Sequence, residues 1–399
     1  MNDLGELKEY VRVHAKGQRI PQYQHILDRI VTDEGSGPGS WVGEWCAAGA
    51  DRQRQGRHVD AVRRFALARF PFVDGPARAD AAARCVAAVE RWSADVTGVE
   101  PLTVELKDGT VRCWTYGLSS GEKRPLFLVM GGIVSVKEQW APMLAQARRL
   151  GLAVVVTEMP SVGENTVPYG PDAWQMIPGL LDELADRADV RQTYATALSF
   201  SGHLALRAAV DDPRIRAVIT VGAPVGRFFT DVEWQEGLPA VTLDTLGHLI
   251  GVTAAAIPGR LAERAIAVEQ LQALEIPVYY VASRRDEIVP YAETALLRDG
   301  VRRLEPARAR RRPRLTRARR ADPALDHPRP AAGPRRAQRP DRPAERAAAP
   351  RALTSPVPSH RGPARWMRAG PSRCPAQKMA AGARAVRISV ATSSGQALR

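Results

Sequence analysis

Two periods divide the chain. Up to about residue 98, apolar positions recur at three- and four-residue spacing: Tyr23, Ile26, Leu27 and Ile30, then Trp41, Trp45 and Ala48, then Val62, Phe65 and Ala66. That spacing gathers each set on one face of a helix. From Pro101 the period falls to two. Residues 102–118, LTVELKDGTVRCWTYGL, alternate across Asp108–Gly109, a dipeptide that a tight hairpin turn favours. Four longer apolar runs follow: PLFLVMGG (125–132), LAVVVTEM (152–159), IRAVITVGAP (215–224) and IPVYYVAS (276–283). They are continuous, as strands covered on both faces are. Helices are expected between them, around 138–150, 172–188 and from residue 203. Strands alternating with helices predict an α/β class: a mainly parallel sheet with helices on both faces, behind an N-terminal helical cap.

Three stretches admit a bland and a sharp reading. DEGSGPGS (33–40) has the glycines of a phosphate loop but follows a helix, not a strand, so it reads as a linker. Trp41, Trp45, Phe65, Phe70 and Phe72 could line a pocket, yet aromatic side chains at helical spacing more often pack helix against helix. Residues 226–270, with Phe228, Phe229, Trp234, Leu246 and Ile250, interrupt the sheet where a lid would be inserted. A helical insertion that merely packs fits them equally well.

Composition changes the picture at one place. The chain carries 57 Lys and Arg against 43 Asp and Glu, a net charge of +14. Residues 305–399 hold 23 of those basic side chains, only five acids, and 14 of the 31 prolines. The body before them is slightly acidic, so the excess is not a nucleic-acid signature of the fold. With no apolar period, this Arg/Pro/Ala-rich tail is expected to be disordered. It is either a basic polyanion-binding tail or the out-of-frame product of GC-rich DNA, and the second reading is preferred. No apolar run approaches a membrane span, and MNDLGELKEY lacks the plan of a signal peptide, which points to the cytoplasm. Cys46, Cys85, Cys113 and Cys374 stand far apart, with neither disulfide nor zinc-site spacing.

The chemistry centres on TYATALSFSGHLALR (193–207), a β-leaning run that passes through small residues into a helical one. A serine on such a strand-to-helix turn is exposed at the C-terminal edge of a parallel sheet, and the sharp backbone needs small neighbours two residues to either side. Ala197 and Ser201 fill those places around Ser199, with Gly202 next. Gly131, Gly132 and Ile133, at the end of an earlier strand, can aim N–H groups at an oxyanion together with Phe200. Asp286 in SRRDEIVPYAET (283–294) ends the last strand at the same edge and is the candidate to orient a histidine. It could instead cap the residues that follow it.

These residues resemble the α/β-hydrolase superfamily. The spaced tryptophans, GGIVSVKEQW (131–140) and EMPSVGEN (158–165) resemble the FrsA-like esterases and a related pseudooxynicotine hydrolase, over roughly residues 40–300. Against that pattern Val134 and Glu158 stand where aspartates are usual, and Ser161 stands for a glycine. The resemblance implies a catalytic histidine about 30 residues past the acid. His14, His25 and His58 fall in the helical cap as surface or core residues, His203 is held by the elbow helix, and His248 is out of order. His327 is in order but lies in the tail.

The sequence therefore predicts a helical cap (1–98), an α/β-hydrolase domain incomplete at its C-terminal end (99–304) and a disordered basic C-terminal tail (305–399). Ser199, Asp286 and His327 are the expected catalytic residues, with Gly132, Ile133 and Phe200 at the oxyanion. The expected reaction is hydrolysis of an ester, or of a C–C bond beside a carbonyl, in a small molecule. No cofactor, metal, membrane or specific nucleic acid is called for, and a homodimer is left open. Elimination or cyclisation on the same fold is the alternative enzyme class, and an inactive scaffold with a polyanion-binding tail is the non-enzyme one.

Overall fold

The computed structural model describes residues 2–306. Glu305 and Pro306, expected in the disordered tail, instead pair with the last of the expected parallel strands, and the other expectations for the tail, including His327, lie outside the described residues. Five helices come first: α1 (Leu4–Gly17), α2 (Tyr23–Arg29), α3 (Trp41–Arg54), α4 (His58–Ala68) and α5 (Pro76–Ala94). Local chemistry fixes their starts. The Asp3 carboxylate accepts the Glu6 N–H at 2.7 Å, Ser40 Oγ accepts the Gly43 N–H at 3.0 Å, and Pro76 occupies the first turn of α5. Trp41, Trp45, Phe65 and Phe70 are buried among these helices, so they are core. Residues 33–40 form the linker: Asp33 at its start is buried against Arg78 of α5 at 2.5 Å, and Ser40 at its end caps α3.

The sheet begins with the expected hairpin, β1 (Val99–Leu106) and β2 (Gly109–Tyr116). It continues through β3 (Pro125–Met130), β4 (Ala153–Thr157), β5 (Asp189–Ala197), β6 (Ile215–Val221), β7 (Val278–Val281) and β8 (Leu304–Pro306). Their order across the sheet is β1-β2-β4-β3-β5-β6-β7-β8, and every pair from β4 onward is parallel. All of β4 and Leu126–Met130 of β3 are buried, as their unbroken apolar runs require. The helices among these strands are α6 (Met176–Leu184), α7 (Phe200–Asp211), α8 (Arg227–Thr230), α9 (Val232–Glu236), α10 (Ala240–Ile250), α11 (Val268–Gln272) and α12 (Glu293–Gly300). The parallel strands all present their C-terminal ends at one edge, where the ends of β3, β5, β6 and β7 meet.

Two helical expectations change. Residues 138–150 form 3-10 stretches, Lys137–Gln139 and Ala141–Leu150, in place of one α-helix. For the first stretch the reason is tertiary: Lys137 and Glu138 are drawn into a buried ion cluster, and the Gln139 side chain accepts the Val136 N–H at 3.0 Å. Over 172–188 a 3-10 turn, Ala173–Gln175, precedes a shorter α6, which ends at Leu184. The insertion at 226–270 both packs and roofs. Phe228 and Phe229 are buried edge-on against Phe200, at 5.1 and 6.4 Å between ring centres. α10 meets α1, where Glu6 accepts the Val241 N–H at 3.0 Å and Tyr10 Oη lies 3.3 Å from Thr242 Oγ1.

Candidate active site

β5 runs into Ser199, which sits at φ 55° and ψ −129°, a backbone that L residues rarely adopt. The surroundings hold it there. Leu198 N–H donates to the Met130 carbonyl at 3.1 Å and Ser199 N–H to that of Val221 at 2.9 Å, so the turn is tied to the ends of β3 and β6. α7 starts at the next residue. Gly202 is required by space: a Cβ there would lie 2.0 Å from Thr220 Oγ1 and 2.8 Å from the Ala223 methyl. Ser201, in place of a glycine, puts its hydroxyl 3.0 Å from the Leu198 carbonyl oxygen, which links the first turn of α7 back to the elbow.

The backbone after β3 lies against the serine. A Cβ on Gly132 would stand 3.0 Å from Ser199 Cβ and 3.6 Å from its Oγ. Phe200, first residue of α7, has an N–H that no turn of its own helix can use. Gly132 and Phe200 thus stand beside Ser199, and Ile133 lines the same cavity. The loop carrying Gly132 and Ile133 is braced from two sides. Arg69, buried at the end of α4, donates to the Val134 carbonyl and, at 2.9 Å, to that of Pro71. Lys137 is buried among Glu138 at 2.8 Å, Glu164 at 2.6 Å and Glu158 at 3.5 Å. Glu158 also accepts the N–H groups of Lys137 and Glu164, at 3.1 and 3.0 Å. Burial alone would pull the Lys137 ammonium down, but the three carboxylates hold it above the usual lysine range. The GGIVSVKEQW and EMPSVGEN segments are therefore the two halves of one charged brace under the loop.

Asp286 follows β7 and is half-buried. Its Oδ1 accepts the Ile288 and Val289 N–H groups, each at 3.0 Å, while Oδ2 would be 3.2 Å from a Cβ on Gly222 at the end of β6. The capping expected as its bland role is present, but on a turn, not a helix. Ser199 and Asp286 line one cavity of about 140 Å³ with Gly132 and Ile133. Tyr10 and His14 of α1, with Val241, Thr242 and Thr245 of α10, also line it.

The described histidines separate clearly. His203 Nε2 donates to the Arg264 carbonyl at 2.6 Å and its ring lies 4.6 Å from Phe229, so α7 directs it away from the serine. His248 stacks on Phe72 at 4.4 Å, His25 is exposed, and His58 stands at the start of α4. His14 alone among them lines the cavity. Burial, with Arg69 nearby, pulls its imidazole down to about 4, so it is neutral at pH 7. Sequence reasoning placed His14 on the surface or in the core and did not single out Tyr10 or Thr242. Their role depends on α1 docking against a helix more than 200 residues away, which no local pattern encodes.

The chain is similar to known proteins. Residues 22–297 match the family described as esterase FrsA-like. Esterase FrsA of Vibrio cholerae serotype O1 is 22% identical over 318 residues, covering 74% of this chain and 76% of the relative. That of Photobacterium profundum is 24% identical over 247 residues, 57% of this chain and 58% of the relative. The solved structure of wild-type AbyA5 is 50% identical with a TM-score of 0.73, covering 76% of this chain and 86% of its own. The crystal structure of the 2,6-dihydroxy-pseudo-oxynicotine hydrolase shares the fold at 16% identity, with a TM-score of 0.56 over 73% of this chain and 86% of its own. The chain belongs to the FrsA-like esterases, enzymes of the α/β-hydrolase superfamily.

Proposed function

We propose that the protein is a serine hydrolase that cleaves an ester, or a C–C bond beside a carbonyl, in a small and mainly apolar substrate. The observation that carries this reading is the placement of Ser199: a positive-φ elbow, the Gly132 backbone against its side chain, and Asp286 on the same cavity. Ser199 Oγ attacks the carbonyl carbon, a histidine takes its proton and Asp286 steadies the resulting cation. The N–H groups of Gly132, Ile133 and Phe200 receive the negative charge that develops on the carbonyl oxygen. The leaving group departs with the histidine's proton, and water repeats the attack on the acyl-enzyme. On chain order His327 is that base where the tail is genuine, and an out-of-frame tail leaves the chain without one. A fluorophosphonate probe should label a histidine-complete form of the chain at Ser199, and Ser199→Ala should abolish labelling with the fold retained. Labelling that survives the substitution would remove the assignment.

A second reading, elimination or cyclisation on the same fold, draws on His14. It is an imidazole on the cavity wall, contributed by α1 and not by the sheet edge, and so placed to meet a part of the substrate that the sheet-edge residues do not reach. Turnover in ¹⁸O-water separates the two. Hydrolysis places solvent oxygen in the released acid, whereas elimination or cyclisation incorporates none.

A further inference from the structure

The cavity is chemically two-sided. Ile133, Val134, Leu198, Val221, Ile288 and Val289 make the wall around Ser199 apolar. Apart from Ser135 and the reacting pair, the wall's hydroxyl and imidazole groups come from the two roofing helices: Tyr10 and His14 from α1, Thr242 and Thr245 from α10. Tyr10 and His14 are four residues apart, one above the other on a single helix face. Thr245 spends its hydrogen on the Val241 carbonyl at 2.6 Å. Tyr10 and Thr242 lie 3.3 Å apart and either can donate to the other, so the pair can turn its remaining O–H toward a ligand. No hydrogen bond among the described residues engages the His14 ring, which rests on Phe70 at 5.5 Å. The roof is held in place by Glu6, which accepts the Val241 N–H.

We propose that Tyr10, His14 and Thr242 form a hydrogen-bonding clamp for a neutral oxygen acceptor on the substrate, remote from the bond that Ser199 attacks. The substrate class is then an ester carrying a keto, lactone or similar carbonyl oxygen a few atoms from the reacting carbon, and α1 selects it. This deepens the serine-hydrolase reading and rests on it. Neutrality follows from the wall: among the described residues no Lys or Arg lines it. Protonation favours donation. Burial raises the Tyr10 hydroxyl to about 12, with Glu6, Glu287 and Asp286 adding to the rise and the Thr242 hydrogen bond opposing it. His14, facing Arg69, stays uncharged above about 4. Both groups therefore keep one N–H or O–H across the neutral range. A cavity near 140 Å³ has room for a group about the size of benzene, so the acceptor must sit on a short chain.

The test compares p-nitrophenyl 4-oxopentanoate with p-nitrophenyl pentanoate, esters of equal chain length that differ by one keto oxygen. The full chain should favour the oxo-ester about tenfold in kcat/KM, the value of one buried hydrogen bond. Tyr10→Phe and His14→Leu should each bring that ratio close to one, chiefly through KM, and His14→Gln should restore part of it. Thr242→Val is a second route if either α1 variant loses its circular dichroism. A ratio of one in the unaltered chain, or a ratio the variants leave unchanged, overturns the clamp. Calorimetric titration of Ser199→Ala with methyl 4-oxopentanoate and methyl pentanoate reads the same preference without turnover. Preference in binding with no ester cleaved would sink the hydrolase reading and leave the clamp standing, while equal or absent binding of the two would sink the clamp whatever the activity.

Discussion

Gly132 and Ser199 are packed so closely that the backbone of one serves as the wall of the other: a Cβ on Gly132 would come within 3.0 Å of Ser199 Cβ and 3.3 Å of the Leu198 carbonyl oxygen. Neither neighbour is the free end of a flexible chain. Both belong to the strained elbow, so the loop after β3 must give by a few tenths of an ångström. Gly132→Ala should therefore lower kcat by about 10- to 100-fold through misplaced oxyanion donors. The thermal midpoint should change little, because the displaced loop is still braced by Arg69 and Lys137. Steady-state kinetics beside a melting curve checks this, and an unchanged kcat would take Gly132 out of the oxyanion site.

Gly202 is constrained by volume and not by φ. Its absent Cβ would meet Thr220 Oγ1 at 2.0 Å, Ala223 Cβ at 2.8 Å and the Ala197 carbonyl oxygen at 2.9 Å. Gly202→Ala overpacks the join between α7 and β6 and should cost about 1–3 kcal/mol or more. Adding Thr220→Ala removes the nearest obstruction but not Ala223, so the double variant should recover only part of the loss in denaturant unfolding. Full recovery would mean that β6 moves more freely than its parallel pairing suggests.

The same two glycines show how far the sequence can be read. Small residues around Ser199, a glycine-ended strand and a strand-end aspartate are local signals, and each falls at the edge where parallel strands end together. Asp108–Gly109 marked the hairpin, and unbroken apolar runs marked the buried strands. What was illegible arises from contacts distant in sequence. Lys137 and Glu138 look like the start of a surface helix until Glu158 and Glu164 arrive from the next loop and draw them inward. His14 looks like any polar position on α1 until α10 turns that face into a cavity wall.

His203 and His14 give stability an acid limb. Burial lowers each imidazole to about 4, below the ordinary 6.5. Between those values the unfolded chain binds protons that the folded chain refuses, so stability is fully present above about pH 6.5 and is lost as pH falls toward 4. His203→Gln, whose amide can still donate to the Arg264 carbonyl, should reduce the loss over that window when unfolding is measured at several pH values. A variant curve parallel to that of the unaltered chain would show that His203 is not held neutral by the fold.

Glu158 acts in the opposite direction. Burial raises its carboxyl to about 7 in spite of Lys137, and the charge of Glu138 adds to the rise. The folded chain therefore holds a proton that the unfolded chain has released, and this contribution to stability is lost as pH rises from about 4.5 to 7. Glu138→Gln isolates the effect. The carbonyl oxygen of glutamine can keep both bonds made by Glu138 Oε1, from the Trp114 indole N–H at 3.1 Å and from Lys137 at 2.8 Å, while the neighbouring charge disappears. With one fewer carboxylate competing for Lys137, Glu158 should ionise at lower pH. The difference in unfolding free energy between the variant and the unaltered chain should then shift in the variant's favour as pH rises through that window. Lys137→Met is the contrasting change: it strands Glu138 and Glu158 in a buried site without their cation and should cost about 3–5 kcal/mol at pH 7, less at pH 5 where Glu158 is protonated. A pH-independent difference for both variants would mean that the buried cluster does not titrate in this range and that its role under the loop after β3 is fixed charge alone.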